Sequence, residues 1–130
     1  MSFGNNPAAD LSELIVAPVQ GVVAIRNNSP DYVNPSAVGE KYIYFETYNS
    51  SAYLYTAIST DEWNNGVAVQ VGERYASLTN HKIYQFRQGR YDGEIAADQF
   101  DIPVGVPFFN QADNCLYFFT GSGFVKITGT

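Results

Sequence analysis

Short runs of β-branched and aromatic residues, each bounded by turn-forming residues, recur along this 130-residue chain. Val22–Ile25, Lys82–Arg87 and Phe124–Ile127 are examples, with Gly, Asn or Gln residues at their ends. Such side chains suit a pleated, half-buried surface and lose rotamer freedom in a helix. The pattern therefore predicts an all-β domain of about eight to ten short strands and excludes a helical bundle.

The expected architecture is a single small antiparallel sandwich, jelly roll or barrel, because closely spaced short strands separated by turn signals are typical of these folds. The chain is long enough for one domain with its own core. Residues 1–16 are interpreted as an N-terminal arm, since residues 1–10 show no core-forming pattern and Pro18 ends the apolar stretch that follows. Residues 17–130 are then the single β domain.

The clearest element is a hairpin between Tyr42 and Ile58, with Asn49, Ser50 and Ser51 at its turn. Tyrosines alternate with apolar residues in its first strand and recur in the second. A loop with an even number of residues places all of these tyrosines on one face, whereas an odd number divides them between two faces. The sequence leaves both registers open. In the even register, the residues expected to face the core are Ile43, Phe45, Leu54 and Ile58.

The aromatic content is high, at 15% of the residues, and ten of the aromatic side chains are tyrosines. Tyr combines an apolar ring with a polar tip and is enriched where protein surfaces meet. The leading hypothesis is therefore a non-enzymatic structural protein that binds other protein subunits and forms a homo-oligomer. The residues predicted to lie in its interfaces are Phe3, Tyr42, Tyr44, Tyr48, Tyr53 and Tyr55.

Small acidic β-proteins of this composition occur as accessory components of virus particles, such as phage head-decoration, neck or tail proteins. We expect synthesis in a cytoplasm followed by incorporation into a virion, because the first twenty residues lack the pattern of a signal peptide. The single cysteine, Cys115, allows no disulfide within the chain. No run of residues approaches the length of a membrane helix, so no membrane partner is expected.

The alternative hypothesis is a lectin-like domain that stacks sugars on Trp63 and Tyr91. A more distant one is a small glycan hydrolase that uses Asp92 and Glu94, which a strand would direct to one face. His81 is the only histidine, and the sequence contains no nucleophile-elbow motif whose serine it could activate as a base. We therefore predict no catalytic residues, no metal site and no cofactor.

The formal net charge is -6, from 13 acidic and 7 basic residues. A nucleic-acid groove neutralises phosphates with basic side chains, so this balance disfavours a nucleic-acid partner.

Overall fold

The computed structural model describes residues 18–46 and 51–127, and these form ten strands and no α-helix. The all-β class and the expected number of strands are confirmed. None of the described segments is a helix long and apolar enough to cross a membrane. The strands are β1 (Val22–Arg26), β2 (Lys41–Glu46), β3 (Ser51–Thr56), β4 (Val67–Ala68), β5 (Arg74–Ser77), β6 (Lys82–Gln88), β7 (Ile95–Asp101), β8 (Phe108–Asn110), β9 (Cys115–Phe119) and β10 (Phe124–Ile127).

The strands form two sheets rather than a closed barrel. The large sheet has the order β4-β3-β2-β1-β5-β6-β7, and the small sheet has the order β10-β9-β8. The expected antiparallel organisation holds between the described strands except at β1, which is parallel to both β2 and β5. A parallel pair needs a connection that returns the chain to the same end of the sheet. The long connection over residues 27–40, which includes a 3-10 helix, makes that return between β1 and β2.

Two apolar cores lie on opposite faces of the large sheet. The first core covers one face of the large sheet, which we call the inner face. It includes the buried residues Ile43, Phe45 and Phe86. Strands β3 and β7 contact each other across this core although four strands separate them in the sheet, so the large sheet is strongly curved. The second core joins the outer face of β5 and β6 to the small sheet, through Ile83 and Phe108. The two sheets therefore pack as layers.

The hairpin of β2 and β3 has the even register. Tyr42 pairs with Tyr55 and Tyr44 pairs with Tyr53, so all four tyrosines lie on the outer face of the large sheet. The inner positions are apolar as expected, with one exception. Ile58 is 54% exposed, because β3 ends at Thr56 and the chain turns away from the core there.

Several sequence predictions fall outside the described residues. These are the proposed arm over residues 1–16 with its interface residue Phe3, and the predicted interface residue Tyr48.

Candidate functional site

The outer face of the β2–β3 hairpin carries the four tyrosines, and their exposure differs widely. Tyr42 is fully buried, Tyr44 and Tyr55 are half-buried, and Tyr53 is 41% exposed. The Tyr42 hydroxyl donates to the carbonyl oxygen of Asn28 over 3.3 Å, and burial raises the pKa of this phenol well above its ordinary value. Tyr42 is therefore covered by its own chain and is not available to a partner, which corrects its assignment to an interface.

Trp63 covers the ring of Tyr42 and joins two loops. Its indole contacts that ring edge-on, with 4.8 Å between ring centroids. Its Nε1–H donates to the carbonyl oxygen of Val33 over 2.5 Å, which ties the β1–β2 connection to the β3–β4 connection. A backbone bridge between Trp63 and Ala57 fixes the position of the indole relative to the end of β3.

Asn64 and Gly66 hold the β3–β4 connection against the hairpin. The Asn64 side-chain oxygen accepts hydrogen bonds from the backbone N–H groups of Thr56 and Gly66, each over 3.0 Å. Gly66 has a φ of 80°, and a Cβ added there would lie 2.6 Å from the Tyr55 ring. Only glycine combines this backbone conformation with so close an approach to an aromatic ring.

These two connections and the hairpin enclose a cleft of about 580 Å³, which we call the aromatic cleft. Its wall consists of half-buried aromatic rings, and its rim carries carboxylates and asparagine amides. Burial is the main cause that raises the pKa of Tyr55, and the neighbouring phenols of Tyr53 and Tyr44 and the carboxylate of Asp31 raise it further. The residues that define the aromatic cleft are Tyr44, Tyr55, Trp63, Asp31, Asp61 and Glu62.

A second surface of interest is the side of the small sheet that faces away from the second core. Tyr117, Phe119 and Phe124 pack into that core, so their neighbours along the strands point to the other side. Cross-strand pairing makes these outward side chains contiguous. We call this surface the apolar face, and it consists of Phe109, Leu116, Phe118, Val125 and Ile127.

The apolar face is substantially exposed. Leu116 and Val125 are each 43% exposed and Ile127 is 39% exposed, while the two phenylalanines are half-buried. None of its five members is charged. Because side chains alternate between the two faces of β9 and β10, the sequence divides their residues into two candidate faces. It does not indicate which of the two faces packs on the large sheet and which is exposed.

The residues considered for catalysis lie in turns. His81 lies between β5 and β6 with a φ of 59°, and its ring stacks on Phe119 with centroids 5.3 Å apart. It therefore packs between the two sheets. Asp92 is exposed in the β6–β7 turn, and a Glu94 carboxylate oxygen accepts from the backbone N–H of Tyr91 over 2.6 Å. Among the described residues, no group of three or more His, Cys, Asp and Glu could hold a metal ion.

The two residues predicted to stack sugars are in different places. Trp63 lines the aromatic cleft, whereas Tyr91 lies in the β6–β7 turn and is 63% exposed. The structure brings Trp63 together with the carboxylates of Asp31, Asp61 and Glu62 in one cleft, a grouping that the sequence did not predict. Those carboxylates belong to loops that a period-two pattern does not describe.

Comparisons with protein-family models, with curated proteins and with solved structures find no match to this chain.

Proposed function

We propose that this chain is a non-enzymatic assembly protein that binds other protein subunits, and in the first place a second copy of itself. The observation that carries the proposal is the apolar face. A contiguous exposed apolar patch on a protein surface is often functional, and a contact with another protein is one of its common roles. More specifically, we propose from its composition that the protein is an accessory component of virus particles.

The charge of the protein favours the apolar face as the contact between copies. Two subunits that each carry a net charge of -6 repel one another over most of their surfaces. The five members of the apolar face carry no charge, so two such faces can approach without like-charge repulsion. Side chains from two sheet faces can interdigitate at a spacing of about 10 Å between the sheets.

Light scattering combined with size-exclusion chromatography tests this proposal. We expect the wild type to be a dimer or larger at about 100 µM, a concentration well above the Kd of a specific subunit contact. The double variant Leu116→Gln with Val125→Thr should be monomeric, because it places unpaired polar groups in the contact. Its melting temperature as a monomer should stay close to that of the wild type, since both side chains are already exposed.

The matched control is the double variant Val38→Thr with Val71→Thr. Both of these valines are more than half exposed, at 67% and 59%, and neither belongs to the apolar face. The control should assemble as the wild type does. A monomeric wild type, or a Leu116 and Val125 double variant that still assembles, contradicts the proposal.

A further inference from the structure

The lining of the aromatic cleft carries three carboxylates and no basic side chain. Asp31, Asp61 and Glu62 contribute three carboxylates to its rim, and its lining contains no Lys, Arg or His. Repulsion between these carboxylates is relieved when a cation enters, whereas a neutral ligand leaves it in place. The charge of the cleft therefore favours a positively charged ligand.

The wall of the cleft suits an organic cation. Tyr44, Tyr55 and Trp63 present aromatic rings, and a guanidinium or ammonium group is attracted to the face of such rings. A neighbouring ring already contacts one cation within the chain. The Arg26 guanidinium lies 5.2 Å from the centroid of the Tyr42 ring, which in turn contacts the rings of Tyr55 and Trp63.

The arrangement of the carboxylates indicates a ligand larger than a metal ion. The described carboxylates do not converge as a metal site would require. Asp61 is also engaged by the Ser59 hydroxyl over 2.9 Å. Charges spread around a cleft of about 580 Å³ fit a side chain whose positive group is carried on an extended stem.

We propose that the aromatic cleft binds an arginine or lysine side chain of a partner protein. The positive group lies against the aromatic wall and pairs with the carboxylates of Asp31 and Glu62, while the aliphatic stem of the side chain contacts the rings. This site is separate from the apolar face, so either proposal can fail while the other stands. The net charge of -6 steers a basic segment toward the protein from a distance.

Trp63 is the only tryptophan, so its fluorescence reports on this cleft alone. The full chain is titrated with a blocked peptide of alternating glycine and arginine, and with the same peptide in which neutral citrulline replaces arginine. We expect a saturable change with the arginine peptide and binding about tenfold weaker with citrulline. Affinity for the arginine peptide should fall as salt is raised, because partly exposed charge pairs are screened.

The double variant Asp31→Asn with Glu62→Gln tests the carboxylates. The loop of Glu62 is held through its backbone oxygen, which accepts from Ile58 and Ser59, so this change leaves the loop bonds intact. We expect arginine-peptide affinity to fall about tenfold. The control Asp92→Asn removes one charge in the distant β6–β7 turn and should change the affinity by less than about twofold.

Spermidine and cellohexaose are titrated in parallel. Equal affinity for the citrulline peptide, or no loss of affinity in the double variant, overturns the proposal. Tighter binding of spermidine than of the arginine peptide assigns the cleft to a free polyamine instead. A saturable change with cellohexaose and none with the arginine peptide assigns it to a saccharide. Circular dichroism of each variant establishes that it is folded.

Discussion

At the scale of single residues, the buried phenols make stability depend on alkaline pH. Tyr75 is 5% exposed, and burial together with the charge of Glu73 raises its pKa to about 12, from 10.0. The folded state therefore retains this proton where the unfolded state has lost it, so stability is complete below pH 10.0 and falls as the pH rises to about 12. We expect the free energy of unfolding to decrease by about 1 kcal/mol from Tyr75 by pH 11. Urea titrations between pH 8 and 11 measure this decrease in the free energy of unfolding. Tyr75→Phe should flatten this decrease, and the exposed control Tyr91→Phe should not; equal slopes in all three proteins would refute the assignment.

At the scale of elements, the two faces of the β2–β3 hairpin differ in what they contribute. Phe45 faces the first core and packs edge-on against the Phe86 ring at 5.4 Å, whereas Tyr53 lies on the outer face. Phe45→Ala should lower the free energy of unfolding by about 3 to 5 kcal/mol through the cavity it leaves. Tyr53→Ala should cost less than about 1 kcal/mol, because cross-strand aromatic contacts are worth little each. Urea unfolding of both variants measures these losses of free energy. Similar losses would show that the two faces of the hairpin contribute equally to stability.

The same hairpin shows how far the sequence could predict the structure. Its strands and their alternation are local, so the sequence located them correctly and reduced the register to two choices. The parallel pairing of β1 is not local, since it depends on where the connection over residues 27–40 delivers the chain. The aromatic cleft has the same origin. The sequence predicted a binding role for Trp63, but it could not predict the contact with Val33, because that contact joins positions 30 residues apart and neither segment has a local pattern that indicates it.

At the scale of the whole molecule, the apolar face is too small to hold two subunits together by itself. Its three strands have three to five residues and span at most roughly 17 by 14 Å, whereas a stable contact buries about 800 Å² per partner. Near the start of the described residues, the backbone N–H of Val19 donates to the Phe109 carbonyl oxygen, so the chain lies beside β8 at the edge of this face. Residues 1–10 lack a core-forming pattern in the sequence, and we propose that they supply the missing contact to a neighbouring subunit. Deleting residues 1–10 should leave the melting temperature of the monomer nearly unchanged and weaken assembly by about tenfold or more in Kd. Calorimetry of dilute protein and light scattering over a concentration series measure the two effects. A large loss of monomer stability, or assembly at the wild-type Kd, would show that the arm does not act between subunits.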